Sequence, residues 1–214
     1  MASSFFQPRR GYRFSSDSIA LAEFIRISRH ETLLDLGTGV GVVPILTYHR
    51  FPFRYAVVVE LQPELADLAR KNVKLYGMEN QIHVLDRDIV ELVPADFTAF
   101  PLDLPPLQFD VICANPPFWA LRQGRINPNP QKALARHELR LGLAQLVHAF
   151  QRFLATDGRI YLMHSAERET EILDTLGASG FQIVQKRYGL FHKNRKRLLL
   201  ECALLTRCDP KLEG

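Results

Sequence analysis

Nowhere does this sequence offer an apolar stretch long enough to cross a bilayer. The longest charge-free run, residues 36–49, is interrupted by three glycines and a proline and falls short of the roughly 18 apolar residues a spanning helix needs. Cysteine is scarce as well. Of the three, Cys113 and Cys202 sit in apolar runs expected to be buried strands and Cys208 lies near the tail. No pair has metal-ligand or redox spacing, which excludes a disulfide framework and predicts a protein without a metal in a reducing compartment. The opening residues place Arg9 and Arg10 behind two phenylalanines instead of ahead of a long apolar core. No signal peptide is therefore read, no membrane partner is expected, and the cytoplasm is the expected location. Internal repeats and low-complexity tracts are missing too, and 47% hydrophobic with 23% charged residues excludes a disordered or collagen-like chain.

Acidic residues are missing locally. Residues 1–16, 111–137 and 175–200 contain no Asp or Glu and carry three, four and six Lys or Arg respectively, although the whole chain is only +4. The remainder is thus an acidic body bearing three basic segments, a distribution that suits an anionic partner better than net charge alone would suggest.

What is present, from Thr32 onward, is an alternation of short apolar runs and helical periods. Runs at 33–36, 55–59, 82–85, 109–114 and 159–163 read as buried parallel strands. Leu65, Leu68, Ala69, Val73 and Tyr76 form one helical stripe ended by Gly77. Leu139, Leu143, Leu146, Val147, Phe150 and Leu154 form another, ended near Gly158. Such alternation predicts an α/β fold, a doubly wound sheet with helices on both faces. Residues 181–188 and 197–206 lack an intervening helix and predict a closing antiparallel hairpin. Ser16 and Asp17 can cap a helix through about Ser28. The 13 residues 94–106, four of them proline, read as a surface connection. A single domain, 1–214, is expected: an N-terminal segment and helix over 1–31, then the sheet core over 32–206.

Three features carry chemistry. Residues 33–44, Leu-Leu-Asp-Leu-Gly-Thr-Gly-Val-Gly-Val-Val-Pro, are a strand running through a glycine turn into a helix, where backbone N–H groups meet a ligand closely. A dinucleotide fingerprint would place its third glycine at Val42, so a nicotinamide or flavin reading is weakened. Glu60, 19 residues after Gly41 at the end of the second strand, can accept hydrogen bonds from both hydroxyls of a ribose. Asp88, after the third strand, either meets the amino edge of an adenine or caps a helix, and Asp86 competes with it.

The third is the fourth strand's end, Cys-Ala-Asn-Pro-Pro-Phe-Trp at 113–119. Two consecutive prolines end the ladder and fix the turn. The Asn115 amide oxygen, the Pro116 carbonyl and the Phe118 face then suit a planar group bearing an exocyclic NH2, such as a flipped nucleobase. The seven histidines have no catalytic spacing.

With these motifs the sequence resembles class I S-adenosylmethionine-dependent methyltransferases of the Asn-Pro-Pro-Phe/Tyr group. Gly11-Tyr12-Arg13-Phe14-Ser15-Ser16-Asp17-Ser18, then Leu21-Ala22, and Ala135-Arg136-His137-Glu138 resemble the bacterial tRNA adenine N6-methyltransferases acting beside the anticodon of valine tRNA. The resemblance spans roughly residues 7–206. It implies a Rossmann-like seven-stranded, mostly parallel sheet with S-adenosylmethionine across Asp35, Gly37, Thr38, Gly39 and Gly41. Glu60 and Leu61 would hold its ribose side, Asp88 and Ile89 its adenine, with Arg13, Phe14 and Asn115 close by. Asn115, Pro116, Pro117 and Phe118 would be the catalytic group acting on an adenine amine. Enzymes methylating guanine amines of ribosomal RNA and release-factor glutamine methyltransferases share the motif and stay open as alternatives. So does a non-catalytic RNA-binding protein on the same fold, against which the intact glycines, Glu60 and Asn115 argue. For a structured RNA, most simply a tRNA, the candidate contacts are Arg9, Arg10, Arg122, Arg125, Lys132, Arg136, Lys193, Arg195, Lys196 and Arg197.

Overall fold

Strands β1 (Thr32–Leu36), β2 (Tyr55–Glu60), β3 (Ile82–Asp86), β4 (Phe109–Ala114) and β5 (Leu154–Ser165) pair in parallel, in the order β3-β2-β1-β4-β5. The sheet is seen in a computed structural model that describes residues 4–9, 13–98, 108–116, 142–190 and 195–205. Strand β7 (Lys196–Leu204) adds antiparallel to β5, and β6 (Phe181–Leu190) closes the seven-stranded sheet antiparallel to β7. The expected hairpin is therefore present.

Because successive strand side chains point to opposite faces, one set of residues meets each helix layer. Leu34, Val57, Val59, Ile112 and Ile160 pack with α4 (Leu143–Phe153) and α5 (Glu169–Ala178). Leu33, Ala56, Val58, Val111 and Tyr161 pack with α1 (Ser16–Phe24), α2 (Val42–Arg50) and α3 (Pro63–Leu75). Burial on both faces is why the central strands read as continuous apolar runs. Strand order reverses between β1 and β4, the place where doubly wound sheets open a crevice. Leu36 lies opposite both Val59 and Ala114, and Glu60 opposite Asp86, so four carboxyl ends finish level at that crevice.

Three boundaries differ from the sequence reading. Helix α1 is capped by Ser15 and stops at Phe24, because Ile25 leaves the helical region and the Arg26 guanidinium binds the carbonyls of Glu23, Phe24 and Ile25. Ile25 and Ile27 are then buried from an extended segment. Helix α4 ends at Phe153 and β5 begins at Leu154, not near Gly158. The ladder passes from Phe109 opposite Leu154 to Val111 opposite Arg159, and Gly158 lies inside this bulge where a Cβ would come within 2.7 Å of Leu154 Cδ1. Helix α5, whose Ile172 and Leu176 are buried, had no counterpart in the sequence reading.

Candidate active site

Past β1 the chain makes its turn on three glycines with positive φ: 81° at Gly37, 62° at Gly39 and 83° at Gly41. That region is strained for residues with a Cβ. At Gly41 a Cβ would make only ordinary contact with α3, 3.6 Å from Ala69 Cβ, so the positive φ alone calls for glycine there. Around Gly37 a Cβ would meet nothing within 4 Å, so this side of the turn faces open space. The N–H groups of Gly37 and Thr38 both donate to the Val59 carbonyl at 2.9 Å, tying the turn to the end of β2.

Glu60 completes that tie. Its side chain is buried, and Oε2 accepts from Gly39 N–H at 2.8 Å while Oε1 accepts from Gln62 N–H at 2.9 Å. A carboxylate offers about four acceptor positions, and the two backbone bonds fix its plane. Leu61 follows directly and is 40% exposed at the mouth.

Beneath the turn, Asp35 is 2% exposed; its Oδ1 accepts from the Cys113 thiol at 3.3 Å and its Oδ2 has no partner. Burial pushes its carboxyl up to about 6, and the buried Cys113 thiol is held well above its ordinary range by burial and by the Asp35 charge. The side chains of Thr38, whose Oγ1 is buried nearby, and Cys113 act against the rise at Asp35. An unpartnered buried acceptor is costly unless something polar reaches it.

On the β3 side, Asp88 accepts from Val90 N–H at 2.9 Å and caps a short 3-10 turn, Ile89–Glu91, with Ile89 buried. Asp86 ends β3 beside Glu60. On the α1 side, Phe14 packs on Val40, Val42 and Leu65 and meets Phe5 edge-on at 5.3 Å. Arg13 is exposed, its Nε donating to Gln7 Oε1 at 3.2 Å.

Asn115 stands one residue beyond β4. Its Nδ2 donates to Ser18 Oγ at 3.4 Å, and its Oδ1 is buried without a partner. Pro116 is buried next to it. The structure thus brings Asp35, the glycine turn, Phe14, Glu60, Leu61, Asp88, Ile89 and Asn115 to one end of the sheet. Pro117, Phe118, Arg10, Arg122, Arg125, Lys132, Arg136 and Lys193 lie outside the described residues.

Among the basic candidates that are described, Arg9, Arg195 and Lys196 are exposed, as are Lys186 and Arg187 of β6. The expectation for Arg197 is corrected. It is 5% exposed, and its Nε lies 3.0 Å from Asp17 Oδ2 in a buried ion pair between β7 and α1. The guanidinium serves the interior, not a phosphate.

Two further polar residues escaped the sequence reading. Asn72 is fully buried on α3, accepting from Phe6 N–H at 2.7 Å and donating to the carbonyls of Phe6 at 2.9 Å and Val40 at 2.8 Å. A polar residue within the apolar stripe of α3 was the available signal. Ser18 is the other, and no pattern marks it apart from its neighbour Asp17. Among the described residues no group of His, Cys, Asp or Glu is placed to hold a metal, and no helix is long and apolar enough to cross a membrane.

A curated tRNA1(Val) (adenine(37)-N6)-methyltransferase of Porphyromonas gingivalis is 30% identical over 172 residues, covering 78% of this chain and 64% of the relative. The chain therefore spans a little under two thirds of that relative's length. A protein of the same name from Histophilus somni is 28% identical over 202 residues, covering 94% of this chain and 73% of the relative. Among solved structures, a ribosomal protein L11 methylase of Lactobacillus delbrueckii subsp. bulgaricus superposes with a TM-score of 0.60 at 18% identity, over 89% of this chain and 77% of that one. That likeness concerns the fold.

S-adenosylmethionine is the cofactor of such a domain, and the residues present fit it. An open glycine turn and a buried carboxylate suited to a ribose meet at one end of the sheet. The match to the methyltransferase small domain runs over residues 13–177, from the Phe14 arm through the whole parallel sheet, and the chain belongs to that family.

Proposed function

We propose that this protein is an S-adenosylmethionine-dependent methyltransferase acting on the exocyclic amine of an adenine in tRNA, by likeness to its relatives adenine 37 of a valine tRNA. The observation that carries the reading is Asn115 Oδ1, a buried acceptor without a partner at the edge of the cofactor crevice. S-adenosylmethionine, when bound, supplies a methyl carbon activated by a sulfonium. The protein's own task is then to make the amine a nucleophile.

An adenine amine is a poor one because its lone pair is delocalised into the ring. Asn115 Oδ1 and the Pro116 carbonyl, accepting the two amine hydrogens, favour a pyramidal nitrogen whose lone pair is localised and aimed. As the nitrogen gains the methyl group, the same acceptors stabilise the positive charge that develops there. The proton is acidic once nitrogen is positive, so no side-chain base is required. Burial around Asn115 excludes water and strengthens both hydrogen bonds.

For the RNA, Arg9, Arg195, Lys196, Lys186 and Arg187 are exposed cations that can meet phosphates, and the masking of Arg197 removes one charge from that set. A tRNA substrate agrees with the cytoplasmic location expected from the sequence. Mass spectrometry of nucleosides from total tRNA and ribosomal RNA, with and without the gene, tests the reading. Loss of N6-methyladenosine from a valine tRNA supports it, and loss of methylguanosine from ribosomal RNA with tRNA unchanged overturns it.

A further inference from the structure

A carboxamide has two ends of nearly equal size and opposite hydrogen-bonding character, so its useful orientation must be chosen by its neighbours. For Asn115 the choice is decisive. With Oδ1 toward the substrate it accepts an amine hydrogen; with Nδ2 there, donor would face donor.

The neighbour that makes the choice is on α1. Asn115 Nδ2 donates to Ser18 Oγ at 3.4 Å, and Oδ1 is left buried and unpartnered. The separation is at the long end for a hydrogen bond. Ser18 is 4% exposed, so water does not compete for its oxygen. Its place is fixed from the adjacent residue: Asp17, 3% exposed, is ion-paired with Arg197 of β7, which borders β5, which borders β4. Ser15 caps the same first turn through the N–H of Asp17. A buried ion pair contributes little net stability and is better understood as a device that fixes register.

We propose that Ser18 is a positioning residue for methyl transfer: it holds Nδ2 of Asn115 so that Oδ1 is presented to the amine, and the Asp17–Arg197 pair clamps Ser18 in place. This rests on the reading above that Asn115 accepts an amine hydrogen.

The test uses the full chain, S-adenosylmethionine and an unmodified valine tRNA transcript. Ser18→Ala is expected to lower kcat at least tenfold while KM for tRNA, cofactor affinity by calorimetry and Tm stay within a few fold or a few degrees. Asn115→Asp presents an oxygen in either orientation, so in that background Ser18→Ala is expected to change kcat less than twofold. Should Asn115→Asp be inactive, the split between kcat and cofactor affinity in Ser18→Ala decides alone. A wild-type kcat in Ser18→Ala, an equal loss in both backgrounds, or a loss matched by weaker cofactor binding or a lower Tm overturns the proposal. If Asn115→Ala keeps its activity, the reading of Asn115 itself fails; if it is inactive while Ser18→Ala is not, only the role of Ser18 fails.

Discussion

Gly39 hangs from Glu60: the glycine's N–H meets the carboxylate at 2.8 Å across the ends of two neighbouring strands. The carboxylate proposed to hold a ribose is therefore also the one that shapes the glycine turn.

Replacing Glu60 with Ala should accordingly do two things at once. Cofactor affinity is expected to fall by about 1.5 to 3 kcal/mol through lost charge-assisted hydrogen bonds. The melting temperature should fall too, because the N–H groups of Gly39 and Gln62 lose their acceptor. Calorimetry and a thermal melt read the two effects separately, and an unchanged affinity removes Glu60 from the site.

Asn115→Ala should abolish methyl transfer and leave cofactor affinity within a few fold, since its amide is proposed to act on the substrate amine. Single-turnover kinetics beside calorimetry separates the two. An equal loss of cofactor binding would make Asn115 a cofactor residue first.

Asp35 predicts a pH dependence. Burial raises its folded-state pKa from 3.8 to about 6, so the folded state favours the protonated form. Its contribution to stability is complete below about pH 4 and declines as pH rises through 6, by about 3 kcal/mol at most. In the protein without cofactor, Asp35→Asn should remove this decline, so the stability of the variant relative to the native chain should grow between pH 4 and 6 and level off above. Parallel denaturation curves across that interval would contradict the assignment.

Arg195 and Lys196 should behave unlike their neighbour Arg197. Neutralising the first two is expected to weaken RNA binding and flatten its salt dependence, with cofactor binding unchanged. Arg197→Gln should instead destabilise the fold by about 3 to 5 kcal/mol, because it strands the Asp17 carboxylate in the interior. Filter binding over a salt series and a denaturation curve distinguish these outcomes.

The sheet was legible because its strands are apolar on both faces and its turns are punctuated by glycine and proline. The same punctuation marked the glycine turn, Glu60 and Asn115 as candidates, because a turn or a strand end is a local property. What stayed hidden depends on contacts across long separations. The sequence displays a run of cations from Lys193 to Arg197, and nothing local distinguishes the one that pairs with Asp17, 180 residues away. Ser18 lies 97 residues from Asn115 and is joined to it only once α1 is docked. The β5 boundary was missed for a different reason: the apolar helical stripe continues into Leu154, and the bulge holding Gly158 is visible only against β4.

Asn72 gives the architecture one more property. A single buried side chain grips both the N-terminal arm, through Phe6, and the glycine turn, through the carbonyl of Val40. Undocking the arm strips Asn72 of two of its three hydrogen bonds, leaving Oδ1 and one amide N–H without the Phe6 backbone and only the bond to Val40 in place. Detachment of the arm and loosening of the glycine turn are expected to be coupled through this side chain, and a hydrogen-exchange measurement should find their amides opening together.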